Sequence, residues 1–489
     1  MAITRRRLLG SAAAAGAGLT VAGATGGVFS PAAASERSER GRRPLVPGPL
    51  VDDPAGLVAL PAGFSYRVVS VAGETTLLSG EKSPDRPDGT GAFRWRDRVR
   101  LVQNHEQGPG AALPVPQAAG TVYDAAAPGG GCTVIETARD GRRIAEWVGL
   151  SGTISNCAGG LTPWGSWLTC EETEARAGAS SGGVTLAADH GFVFEVLPAE
   201  PRLQRPVPIR AWGRFAHEAV VVEPSGRTVY LTEDASSPNG LLYRWTGSGG
   251  RLRSGTLQQL GPTAGRLEAL KVQAPDGGHL DDLSRITAQY LNQPLRTSWV
   301  EVPDRLAATT STRKQFTADQ ITRSKKLEGA WGDGEGFYFD SSYAHEADIP
   351  AGSVLHDGQI WYYHYATGTL TLKAYFPYVA ALHDGGDPAA LRGNGVTYFD
   401  GPDNVHVTPW GGLVLAEDGD GDNHLVGWTE ATGAWPLARN QINAGTATEP
   451  AFNEWTGPTF SPDHSLLFAN VQEPGHTYAI TADFRRYFA

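Results

Sequence analysis

Thr162-Pro163-Trp164-Gly165-Ser166-Trp167-Leu168-Thr169-Cys170-Glu171-Glu172 recurs 246 residues later as Thr408-Pro409-Trp410-Gly411-Gly412-Leu413-Val414-Leu415-Ala416-Glu417-Asp418. Each copy combines a tight Pro/Gly turn, a strand of four or five residues and a pair of acids. Four further strands end on polar residues: Arg100–Val102, Thr228–Thr232, Phe337–Phe339 and Leu466–Val471. Regularly spaced short strands with turn signals are typical of a β-propeller. The repeat therefore predicts an all-β fold, a six-bladed propeller with long inserted loops, and a β-sandwich array is the alternative.

The composition agrees with an all-β chain. Its 489 residues include Gly 62 and Pro 33, which favour turns, and Trp 13, Tyr 15 and Phe 16, which favour strands. We expect the propeller to span residues 51–489, with an insertion at about 235–330. The net charge of -11 argues against a nucleic-acid partner, because phosphate backbones are bound by clustered Lys and Arg.

The N-terminus has the pattern of a twin-arginine export signal. Arg5-Arg6-Arg7 precedes a weakly apolar run rich in Ala and Gly, and Ala32-Ala33-Ala34 supplies a small-residue cleavage site. Residues 1–34 are therefore predicted to be a signal peptide and 35–50 a linker, with a membrane anchor as the alternative reading. We expect the twin-arginine translocase to be a partner during export, no stable membrane anchor, and a periplasmic or extracellular location.

Acids that end equivalent strands of a propeller converge at one mouth of its central channel. Such a ring is costly unless cations neutralise it, so the sequence predicts bound metal. Glu171 and Glu417, from the two copies of the repeat, and Glu218 are candidate ligands. Asp403 and Asn404 offer the oxygens that calcium prefers.

Cys157 and Lys326 add a different chemistry to these acids. A thiolate suits iron or zinc better than calcium, although a buried structural Cys is the alternative interpretation. Lys326 and Glu328 lie two apart, so an extended backbone would put them on one face, either beside a metal and an anionic substrate or as a surface ion pair. Three cysteines leave at least one unpaired, and Cys157 with Cys170 is one possible disulfide.

The motifs resemble those of the PhoX-type alkaline phosphatases. The resemblance is carried by Asn156-Cys157-Ala158-Gly159-Gly160, by Gly213-Arg214-Phe215-Ala216-His217-Glu218, by Pro402-Asp403-Asn404 and by Thr456-Gly457-Pro458 with the strand after it. It implies hydrolysis of phosphate monoesters at a cluster of ferric and calcium ions (Fe3+ and Ca2+) in the channel mouth. It also implies that Cys157 binds iron and that Glu218 and Glu328 bind metal.

The resemblance also bears on substrate binding. The family has an arginine that contacts phosphate at the position of Lys326, and lysine keeps its charge but lacks its bidentate fork. Lys326 is therefore predicted to act in catalysis and, with Arg214, in substrate binding. A lactonase-like calcium-dependent propeller hydrolase and a non-catalytic calcium-binding propeller are the alternative functions.

Overall fold

The computed structural model describes residues 44–343, 358–376, 399, 401–419, 421–446, 448 and 450–489. The predicted signal peptide and most of the predicted linker lie outside these residues. No helix within the described ranges is long and apolar enough to cross a membrane.

Strands dominate the described chain, and most belong to antiparallel meanders, in which consecutive strands pair with one another. Meander A contains Pro87–Trp95, Arg98–His105, Gly130–Thr137 and Arg143–Thr153; meander B contains Asn156–Leu161, Trp167–Glu171 and Val193–Val196; meander C contains His217–Val222, Thr228–Glu233, Gly240–Thr246 and Arg266–Gln273. Meander D contains Leu327–Gly332, Gly336–Ser341, Gly358–His364 and Thr369–Phe376; meander E contains Pro402–Val407, Leu413–Glu417, His424–Thr429 and Gly433–Asn440; meander F contains Trp455–Phe460, Leu467–Val471, His476–Thr481 and the early strand Ser65–Val71.

The remaining strands and helices lie outside these meanders. The strands are Leu50–Val51, Val58–Pro61, Ser180–Ser181, Val184–Thr185, His279–Leu280, Pro294–Glu301 and Arg323–Ser324. The 3-10 helices are Pro201–Leu203, Arg210–Trp212, Leu257–Gln259, Leu283–Arg285, Ala288–Tyr290 and Thr312–Gln315, and the α-helix is Arg485–Phe488. The predicted insertion at 235–330 supplies Pro294–Glu301, which pairs with meander C on one side and with meander D on the other.

The arrangement is propeller-like, and its two chain ends are joined in one sheet. Ser65–Val71 pairs with His476–Thr481, so an N-terminal strand completes the last meander. The first strands of neighbouring meanders lie side by side, so these strands surround a common axis. Apolar residues fill the space between meanders, such as Trp212, Phe215 and Trp245 in one cluster and Phe337 and Trp361 in the next.

Glycines allow the first strands to approach one another closely. A Cβ at Gly160 would lie 1.8 Å from the carbonyl oxygen of Val220 in the next meander. Backbone on both sides leaves little room for adjustment. We expect Gly160→Ala to lower the free energy of unfolding by about 1–3 kcal/mol, in line with overpacked sites. Urea denaturation measures this, with Gly249→Ala as a control at a position that has open space around it and a φ outside the left-handed region.

Candidate metal centre

In five meanders the first strand starts with a shift in its pairing register that turns one side chain toward the axis. In meanders A to E the register shifts immediately after the first paired residue, for example between His217 and Val220. The residue that follows the first one is acidic or a thiol in all five: Asp88, Cys157, Glu218, Glu328 and Asp403. A bulge re-aims a side chain in this way, and here it collects five potential ligands.

A second set of polar residues comes from the ends of the second strands. The first strand's initial residue pairs with His105, Glu171, Glu233, Ser341, Glu417 or Val471 in the six meanders. The next residues along the chain are Glu106, Glu172, Asp234, Ser342, Asp418 and Gln472. Two of these residues contact the first set: Ser342 donates to Glu328 at 2.7 Å, and Gln472 donates to Asp88 at 3.2 Å. Gln472 also donates to Glu106, within the second set, at 3.1 Å.

Together these side chains form overlapping groups that could each hold an ion. Within each group the potential ligand atoms lie within 4.8 Å of one another, and the groups are Asp88 with Glu106 and Cys157, Cys157 with Glu172 and Glu218, Glu218 with Glu328 and Asp403, and Asp403 with Asp418 and Glu454. Shared members make the groups continuous. The arrangement can therefore hold several ions side by side.

The crowding of buried acids in these groups favours bound cations. Burial raises the pKa of Asp88 to about 8 and that of Glu328 to about 7, and neighbouring acids add to both effects. Burial and the charge of Glu172 also raise the pKa of the Cys157 thiol. Unneutralised carboxylates this close repel one another, so multivalent cations suit the donor set.

The structure places four of the predicted ligands, Cys157, Glu218, Glu328 and Asp403, in these groups. Asn404 lies next to them, but its side-chain oxygen accepts from Gly457 N at 2.7 Å and its amide donates to Asp403. Its own part is therefore to hold two first strands together and to orient Asp403.

Glu171 and Glu417 lie outside these groups. Glu171 accepts from Ile154 N, from Gly191 N and from the ring of His190. Glu417 accepts from the backbone and ring of His424. Successive side chains of a strand face opposite ways, so the second acid of each pair, Glu172 or Asp418, reaches the axis instead.

The two predicted substrate-binding cations occupy different surroundings. Lys326 is at the metal centre, where its Nζ lies 2.9 Å from Glu328 and 3.2 Å from Asp234. Its backbone has a φ of +48°, so the shared face with Glu328 does not arise from an extended strand. Arg214 is buried and donates to the carbonyl oxygens of Glu174, His190, Leu306 and Ala307, which is a structural role.

Sequence reasoning did not select Asp88, Glu106, Asp234 or Glu454, and from the acid pairs of the repeat it selected Glu171 and Glu417 rather than Glu172 and Asp418. The signal was present in the Pro87-Asp88 and Pro402-Asp403 pairs, which start equivalent strands. All three cysteines are free, so the possible Cys157–Cys170 disulfide is absent.

A separate cavity of about 740 Å³ lies at the opposite end of meanders C and D. Its lining includes Glu223, Thr228, Arg244, Arg266 and Tyr365. Glu223 follows the strand His217–Val222 at the end remote from Glu218, so this cavity is distinct from the metal centre.

Comparison with known proteins gives one extensive match. The family model described as "Alkaline phosphatase PhoX" matches residues 46–475. No curated protein matches the chain.

Solved propeller structures are more distant. A gluconolactonase from Xanthomonas campestris is 13% identical, with 90% of this chain and 98% of that one covered and a TM-score of 0.34. The PQQ domain of a pyranose dehydrogenase from Coprinopsis cinerea is 10% identical, with coverages of 87% and 97% and a TM-score of 0.32. TolB from Acinetobacter baumannii is 12% identical, with coverages of 78% and 64% and a TM-score of 0.30.

Proposed function

We propose how this chain, which belongs to the PhoX family of alkaline phosphatases, carries out its reaction. As a member it is a phosphoric monoester hydrolase, and the family is metal-dependent. The proposal concerns the ions, the ligands, the blades and the residues that handle phosphate. The observation that carries it is the continuous set of ligand groups around Cys157, Glu218, Glu328 and Asp403.

The donor set supports iron together with calcium. Cys157 offers sulfur, which iron binds readily and calcium rarely takes. The other donors are carboxylates, which suit calcium. Cys157, Glu172 and Glu218 would hold iron, and the carboxylate groups on either side would hold calcium. Bound ions would supply an activated oxygen nucleophile and offset the charge on phosphate.

The chain's own residues position the ligands and the substrate. Ser342 and Lys326 both contact Glu328 and fix the direction of its carboxylate. Asn404 does the same for Asp403. Lys326 is a cation at the edge of the centre, where it can attract the phosphate group as a point charge.

Six blades around one axis account for this geometry. The support is the neighbouring placement of the first strands of meanders A to F and the strand Ser65–Val71 that completes meander F. The proposed domain spans residues 51–489, and the stretch 235–330 contributes Gly240–Thr246 and Arg266–Gln273 to meander C as well as the strand Pro294–Glu301. The export signal at 1–34 and a location outside the cytoplasm remain part of the proposal.

The test is turnover of an aryl phosphate monoester by protein that was folded in the cell, together with its metal content. The proposal expects turnover, iron and calcium. Calcium without iron would contradict the role of Cys157, and lactone hydrolysis without phosphatase activity would favour the lactonase alternative. A calcium-binding propeller without activity would show neither reaction.

Lys326→Gln tests the phosphate-binding role. The change removes the cation beside Glu328 but keeps a polar side chain, so we expect KM for an aryl phosphate to rise about tenfold, near the energy of a charged hydrogen bond. Steady-state kinetics measure this, and Lys326→Arg is the control that should keep most of the affinity. An unchanged KM in Lys326→Gln would contradict the role.

Arg214→Lys separates the two predicted cations. Arg214 donates to four carbonyl oxygens inside the protein, so we expect a loss of about 1–3 kcal/mol of stability from unsatisfied groups and no direct change in KM. Thermal unfolding and kinetics on the same preparation measure the two effects.

A further inference from the structure

Arg86 occupies the same position in meander A as Lys326 does in meander D. Each lies two residues before an acid at the axis, Asp88 in one case and Glu328 in the other. Each has a left-handed backbone, with φ of +50° for Arg86 and +48° for Lys326. Such a conformation is uncommon for a residue other than glycine and is typical of functional sites.

The side chain of Arg86 reaches the metal centre. Its Nε donates to Gln472 at 3.0 Å, and its guanidinium lies 3.5 Å from Glu106 and 3.5 Å from Glu473. Glu106 belongs to the group that contains Asp88 and Cys157. Arg86 is therefore beside the first group of ligands, as Lys326 is beside the third.

The two cations belong to first strands on opposite sides of the mouth. The first strands follow one another around the axis in the order A, B, C, D, E and F, so A and D are on opposite sides. About two-fifths of the Arg86 side chain and one-third of the Lys326 side chain are exposed. Both can therefore meet a ligand that enters the mouth.

We propose that Arg86 binds a second anionic group of the substrate, so that the preferred substrates are phosphate monoesters whose leaving group carries another phosphate or a carboxylate. This inference rests on the proposed phosphatase site. Its basis is that a guanidinium offers a planar fork to phosphate or carboxylate, whereas the ammonium of Lys326 serves as a point charge. When one phosphate of the substrate lies at the ions, Arg86 is placed to contact the anionic group at the other end of the substrate.

A matched pair of ligands that cannot be hydrolysed tests this directly. Hexylphosphonate and hexane-1,6-bisphosphonate differ only in the second anionic group, and calorimetry measures their Kd on metal-containing protein. We expect the bisphosphonate to bind about tenfold more tightly, well beyond the factor of two that two identical ends give by statistics. Equal affinities, after that factor is removed, would overturn the inference.

Variants assign the preference to Arg86. We expect Arg86→Gln to remove most of the preference and Arg86→Lys to keep part of it, while Lys326→Gln weakens both ligands. A preference that survives in Arg86→Gln, with unchanged metal content, would also overturn the inference. Binding is measured without turnover, so the two proposals are tested separately. An inactive wild-type protein would contradict the proposed function, whereas only the ratio of the two Kd values decides the role of Arg86.

Discussion

Glu328→Gln is expected to lower kcat for an aryl phosphate by at least a thousandfold. Glu328 lies at the centre of the ligand groups, within 4.8 Å of Glu218 and Asp403, and Ser342 and Lys326 both hold its carboxylate. The amide keeps the size of the side chain but loses its negative charge, so an ion bound there loses a charged ligand and Lys326 loses one of its two acidic partners.

Steady-state kinetics and metal analysis of the same preparation measure this effect. Glu171→Gln is the matched control, because Glu171 is a buried acid in meander B that lies outside the ligand groups. A Glu328→Gln variant with full activity and unchanged metal content would contradict the proposed centre. Stability should be measured too, since removal of one of several crowded acids can itself stabilise the fold.

Cys157→Ser is expected to remove iron and most of the activity. Cys157 is shared by two ligand groups, and it is the only sulfur in the groups found among the described residues. Serine preserves the shape but replaces a soft ligand by a hydroxyl, which binds iron poorly. We expect a hundredfold or larger loss of kcat and little loss of calcium.

Metal analysis and turnover, compared with Cys132→Ser and Cys170→Ser, measure this. Those two cysteines are also buried and free, but they lie outside the ligand groups. Full activity in Cys157→Ser would favour a calcium-dependent hydrolase without iron. Equal losses in all three variants would indicate a general effect of the substitution on folding.

The acid pairs show which ligands sequence patterns can predict and which they cannot. The repeat identifies strands that end in acids and predicts that they meet, and the structure places Cys157, Glu218, Glu328 and Asp403 together. The same patterns select Glu171 and Glu417, whereas Glu172 and Asp418 lie in the groups. Which of two adjacent side chains faces the axis depends on register, and register is set by pairing with a distant strand.

Two cations illustrate the same limit. Arg214 and Lys326 are both predicted from the sequence to bind substrate, but Arg214 is fixed by four carbonyl oxygens, whereas Lys326 lies beside Glu328. Arg86 attracts no notice in the sequence, and its equivalence to Lys326 becomes visible only when the meanders are compared. The contact between Arg86 and Gln472, which are 386 residues apart in sequence, exists only in the folded chain.

The sequence by itself determined the all-β class, the repeat, the acidic and thiol ligand types and the family. These follow from local features, since turn residues, strand propensity and ligand chemistry are written in short segments. Only the tertiary structure decided which acid of each pair reaches the axis, that the first strands start with bulges, and that Arg86 and Lys326 lie on opposite sides. Those outcomes depend on pairing between strands far apart in the chain, which no local segment specifies.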